Sequence, residues 1–149
     1  MRGGERVLEN LCELYPDADI YTHVYRKNKI SDIINSHNVK TTFINKLPYS
    51  FKFYKLYLPL MPLALSKVNL KDYDLIISCE SGPSKGFKYK KNSLHICYCH
   101  TPMRYLYDLK NEYLKNYNFL IKFFIKFIFS KLKKWDINSS KNINYIVTN

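Results

Sequence analysis

The period of the apolar positions changes repeatedly along the chain, and each change marks an element. In residues 5–15, Val7, Leu8, Leu11, Cys12, Leu14 and Tyr15 gather on one side of a helix, while Glu5, Glu9 and Glu13 repeat at i, i+4 on the other. Pro16-Asp17 breaks this pattern, and residues 18–24 read as a short strand. A weak helix over 29–37 carries Ile30, Ile33 and Ile34, and 39–44 is a second strand rich in β-branched residues. Residues 49–58 form an aromatic helix ended by Pro59, with a short helical piece after Pro62. Its Phe51, Tyr54 and Leu58 fall at helical spacing and are expected in the core. Residues 72–79 give a third strand centred on Leu75, Ile76 and Ile77, followed by a loop over 80–86 that contains Ser81-Gly82-Pro83-Ser84-Lys85-Gly86.

The continuous apolar run 94–99 has the length and composition of a strand buried on both faces. It stops at His100, and Thr101-Pro102 follow as an N-cap and a first helical residue. The helix is expected to run over 102–115, with Arg104 and Asp108 spaced for an i, i+4 ion pair. Residues 118–135, from Asn118 to Trp135, form a long helix in which Lys122, Lys126 and Lys133 lie along one face and phenylalanines occupy much of the rest. Residues 144–149 begin a further strand. Strands separated by helices predict βαβαβ connectivity. The expected fold is therefore α/β, one domain over 1–149 with an open, mostly parallel sheet and helices on both faces.

Composition supports a packed domain, since 46% hydrophobic and 16% aromatic residues argue against disorder. The net charge of +12 favours anionic partners, although a coding bias toward lysine would raise the charge without any partner. From 110 to 141 eight lysines face only Glu112 and Asp136, which is half of the excess. A basic helix with so many phenylalanines suits the interface of an anionic membrane; the alternative is a helix half buried in its own domain with a lysine ridge outside. No recognisable nucleic-acid-reading motif accompanies the charge, and nucleic acid is not an expected partner. Cys12, Cys79, Cys97 and Cys99 lack zinc-site spacing and sit in apolar surroundings, which points to a reducing, cytoplasmic compartment. No signal peptide or spanning segment is visible.

The chain contains no Walker A, G-x-G-x-x-G, nucleophile-elbow or H-E-x-x-H motif, and no metal site is expected. His23, His37 and His95 read as structural or surface histidines. His100 differs by position, because ligands of open α/β sheets bind at the carboxyl ends of strands. With Arg104, the 80–86 loop and the Gly3-Gly4 pair before the first helix, it sketches a crevice suited to a phosphate-bearing ligand.

Several motifs carry a resemblance. Met1-Arg2-Gly3-Gly4-Glu5-Arg6-Val7-Leu8-Glu9 with Leu14-Tyr15-Pro16-Asp17-Ala18-Asp19-Ile20-Tyr21-Thr22 resembles the opening of retaining glycosyltransferases of family 4 (glycosyl transferase group 1). So do Tyr57-Leu58-Pro59-Leu60-Met61-Pro62-Leu63-Ala64 and Tyr73-Asp74-Leu75-Ile76-Ile77-Ser78, and above all His95-Ile96-Cys97-Tyr98-Cys99-His100-Thr101-Pro102-Met103-Arg104-Tyr105 with Asp108 following. The resemblance implies the acceptor-side, Rossmann-like N-terminal half of a GT-B enzyme. Such an enzyme moves a sugar from a nucleotide-sugar donor to a lipid-linked glycan or polysaccharide acceptor in cell-envelope glycan synthesis, without a further cofactor, on the cytoplasmic face of the membrane. It further implies that Gly3 and Gly4 match the glycine loop near the donor diphosphate and acceptor. His100 matches the histidine that contacts the donor sugar and steadies the developing positive charge, and Lys85 and Arg104 face acceptor or phosphate groups. Family members place a strand before the glycine loop and a donor-binding domain after the point where this chain stops; Tyr107 stands where tryptophan is common. The expectation is an incomplete domain, inactive alone.

Overall fold

Among the described residues five short strands form, and every pairing between them is parallel. The protein is described by a computed structural model covering residues 3–80, 82–115 and 117–148. Met1, Arg2, Ser81, Asn116 and Asn149 lie outside the described residues, and with them the start of the glycine motif, one residue of the 80–86 loop and the tip of the last strand. The architecture is α/β, with parallel strands in small open sheets of Rossmann-like type. The sheet is divided. Strands β1 (Ile20–Thr22) and β2 (Val39–Thr41) form a pair, while β3 (Leu75–Glu80), β4 (Leu94–Cys99) and β5 (Tyr145–Thr148) form a second sheet in that order. The chain correspondingly divides into two compact units, 1–68 and 69–149, where the sequence reads as one domain.

In the first unit, helix α1 (Gly3–Leu14) contains Gly3 and Gly4 in its first turn, so they belong to the helix and not to a loop before it. A Cβ on Gly3 would meet nothing within 4 Å. Cys12 is the buried residue of α1, whereas Leu14 and Tyr15, expected on the inner side, are exposed. Helix α2 (Asp32–Asn35) is capped by Ser31, whose Oγ accepts from the Ile34 amide, and Ile34 enters the core with Ile44. The aromatic segment departs most from expectation. It is a single turn, α3 (Ser50–Phe53), then a 3-10 stretch through Pro59 and α4 (Met61–Ser66). Met61, Ala64 and Leu65 are buried, but Phe51 and Tyr54 are exposed. A proline and two changes of helical pitch prevent one continuous apolar face from forming.

In the second unit, β4 is central, and the registers Ile76↔His95 and Ser78↔Cys97 set the inner face. The expectation of a strand buried on both faces is corrected. Burial alternates, with Ile76, Ser78, Glu80, His95 and Cys97 inside and Leu75 and Leu94 partly open on the other face. The inner face is thus largely polar. Helix α5 (Lys110–Leu114) and the long helix α6 (Phe119–Ser140) follow; Asn118 caps α6 by accepting from the Ile121 amide at 2.9 Å. Only the later part of α6 packs closely. Leu132 and Asp136 are buried, Phe129 meets Tyr105 with ring centroids 5.7 Å apart, and Trp135 lies against Gly86. Gly86 has φ +84, and a Cβ there would stand 3.0 Å from the indole, so both backbone and space demand glycine. Strand β5 is joined to β4 partly through Asn144, which accepts from the His95 amide at 2.8 Å and returns its own amide to the His95 carbonyl at 3.0 Å. All four cysteines are free thiols.

Candidate functional site

His100 stands where the sequence places it, immediately beyond β4. Its amide donates to the Glu80 carbonyl at 2.9 Å, which carries the parallel ladder one residue past the strands. The ring is half-buried against Tyr98, with centroids 4.9 Å apart, and its Nε2 is buried with no hydrogen-bond partner. An unpaired ring nitrogen at a strand end is a group able to receive a ligand.

The expected helix start beyond it does not form. His100 and Thr101 make a bend, and the Thr101 hydroxyl donates to the Pro102 carbonyl at 3.3 Å and caps nothing. Met103, 1% exposed, plunges into the core, and this burial competes with a helical path through Pro102. One 3-10 turn, Arg104–Leu106, follows, and α5 begins only at Lys110. The Arg104–Asp108 pair survives this change, with Nε 3.2 Å from Oδ2 and both side chains more than half exposed. Thr101, Pro102, Arg104, Tyr107 and Asp108 line an open hollow of about 640 Å³. His100 adjoins these residues in the chain but is not part of the lining.

Lys85 is corrected. Instead of facing a ligand it is 4% exposed, with Nζ 2.8 Å from Glu80 Oε1, 2.8 Å from Asp136 Oδ1 and 3.0 Å from Ser140 Oγ. Glu80 and Ser140 accept hydrogen bonds from the ammonium, and Asp136 Oδ1 faces it as an ion pair. Burial pulls its pKa down, but the two carboxylates outweigh burial and hold it above the ordinary lysine value. The network extends outward. Cys97 donates its thiol to Glu80 Oε2 at 3.3 Å, and Tyr107 donates to Asp136 Oδ2 at 2.7 Å. Burial, with the acceptor carboxylate behind it, pushes the Cys97 thiol up to about 12, and burial plus Asp136 raises the Tyr107 phenol. Neither is a nucleophile in this state. His95, 1% exposed, meets Ser78 Oγ at 2.9 Å and packs on Phe87 and Tyr89; burial, then the Lys85 charge, lowers its pKa to about 4.

His100, Arg104 and Lys85 all belong to the second unit, Lys85 as a buried residue, His100 half-buried and Arg104 exposed at the hollow. Gly3 and Gly4 belong to the first unit. Tyr107, Glu80 and Asp136 escape the sequence reading, although Asp136 gives a signal as the sole acid among the lysines of α6. Through Tyr107, this buried network anchors one wall of the hollow. Arg104 touches Asp108 through Nε, which leaves the terminal nitrogens of its exposed guanidinium available to an anionic ligand. Among the described residues no group of three His, Cys, Asp or Glu is placed to hold a metal ion, and no helix is long and apolar enough to cross a membrane. Compared with known proteins, the chain matches no family model, no curated protein and no solved structure.

Proposed function

We propose that this chain is the acceptor-side, N-terminal part of a retaining glycosyltransferase of family 4, working at an anionic membrane surface on a lipid-linked or polysaccharide acceptor. The observation that carries the reading is His100, a histidine with a free, buried Nε2 at the carboxyl end of the central parallel strand, within the motif that most resembles the family. In this reading His100 contacts the donor sugar. Arg104 takes an acceptor or phosphate oxygen at the hollow, and Lys85 holds the floor instead of touching a ligand. Gly3 and Gly4 would offer the free N–H groups of the first turn of α1 to a phosphate.

The test is nuclear magnetic resonance on the isotope-labelled chain, titrated with nucleotide sugars and a soluble short-chain prenyl diphosphate sugar. His100 and Arg104 signals are expected to shift, and Arg104→Ala to weaken binding about tenfold, the scale of one charge-assisted hydrogen bond. Saturating ligand with no response at either residue would remove the reading.

A second reading, a non-catalytic basic module on a membrane, draws on α6. Phe119, Leu120, Phe123, Phe124 and Phe127 are all more than half exposed, beside Lys122 and Lys126. The exposed part is too short to cross a bilayer but suited to its interface. The two readings share this helix and part at His100.

A further inference from the structure

The first unit carries a surface that neither reading uses. From Ile33 to Lys71 there are six lysines and no acidic residue, so this stretch and 110–141 together account for the whole excess of +12. Within it, the segment around α3 and α4 is held firmly from beneath. Ser50 Oγ donates to the Asn45 carbonyl at 3.0 Å, Tyr57 OH donates to the Pro48 carbonyl at 2.7 Å, and Met61, Ala64 and Leu65 are buried. Large apolar side chains along it are open to solvent, with Tyr49 78%, Leu56 74% and Leu63 51% exposed. Exposed Lys52 and Lys55 interleave with them in the chain, and the Lys52 ammonium lies 5.2 Å from the centroid of the Phe53 ring.

We propose that the 49–63 face of the first unit is a docking surface for an anionic lipid bilayer, separate from α6. Exposed aromatic and leucine side chains would enter the headgroup boundary, and the lysine stems would lie along them with their charges at the lipid phosphates. An unbroken absence of acidic residues over 33–71 complements a negative surface throughout. The aliphatic members decide against nucleic acid, since leucines neither stack on bases nor pair with phosphates. The inference does not depend on the transferase reading.

The test uses the full chain and Leu56→Trp, with vesicles of phosphatidylcholine alone or mixed with phosphatidylglycerol. In mixed vesicles the fluorescence of the introduced indole, taken as the difference from the wild-type chain with its native Trp135, is expected to shift to the blue and to be quenched by brominated acyl chains, while neutral vesicles give much less. Lys52→Glu with Lys55→Glu should lower partitioning about tenfold or more. Phe123→Ser with Phe124→Ser in α6 should leave the indole quenched. Leu63→Trp repeats the measurement should Leu56→Trp fail to fold, with circular dichroism as the check. The proposal is overturned by an indole that stays unquenched on vesicle-bound protein, by equal binding to neutral lipid, or by a chain that binds RNA and ignores vesicles. Loss of the His100 and Arg104 ligand response would leave it standing.

Discussion

His95 illustrates how far the polar chemistry of the second unit is turned inward. A histidine in the middle of a strand is hard to place by sequence, because period alone does not say whether the ring meets water or a core. Here Phe87, Tyr89 and Ser78 enclose it, and burial holds it neutral down to about pH 4. An unfolded chain takes up this proton near pH 6.5, the ordinary value. Stability is therefore complete above that point and falls as the pH drops from 6.5 toward 4, by roughly 3 kcal/mol from this residue. Urea midpoints measured at about pH 7 and about pH 4.5 should show the loss, and His95→Gln should flatten it. A wild-type midpoint independent of pH across this window would contradict the account. The burial of Lys85 is hidden from the sequence for a related reason. A lysine in a glycine-containing loop reads as solvent-facing, and only the tertiary approach of Asp136, 51 positions away in the numbering, reveals its partner.

At the scale of the element, α6 joins two different helices in one. Its later half is a core helix, tied through Leu132, Trp135 and Asp136, and its first half presents phenylalanines to solvent. The sequence legibly marks the helix and its lysines, yet its more apolar half, 119–129, is the exposed one, so apolar content points to the wrong half as buried. The same limit explains the 49–58 segment, where helical spacing suggests a core and the chain instead turns through short, exposed pieces. The division of α6 predicts opposite outcomes for similar substitutions. Leu132→Ala should cost about 2–4 kcal/mol in chemical denaturation. Phe123→Ser with Phe124→Ser should stay within about 0.5 kcal/mol of wild type while raising solubility and lowering affinity for anionic vesicles. Comparable destabilisation by the two changes would mean that the first half of α6 is also packed.

For the whole molecule, strand positions and parallel pairing were largely legible, because apolar runs separated by helical segments allow little else. The division into two sheets was not, since which strands share hydrogen bonds depends on the lengths of β1 and β2, and three residues each leave little ladder to extend. Charge is the property that the sequence states outright and the structure gives a direction. The excess lies in two stretches, 33–71, almost all of it in the first unit, and 110–141 in the second, and each stretch coincides with exposed aromatic side chains. Coding drift would scatter lysines without regard to where apolar surface opens. A lipid-facing origin requires the coincidence, and it has a measurable consequence. Electrostatic attraction is screened within about 8 Å at physiological salt, whereas insertion of aromatic side chains is not. Binding of the full chain to anionic vesicles should therefore fall by more than about tenfold as salt is raised from low to roughly molar concentration, then level off at a residual affinity supplied by the apolar contacts. Binding that vanishes entirely at high salt would reduce the lysines to a diffuse counter-charge and deny the aromatics any part, and binding indifferent to salt would deny it to the lysines.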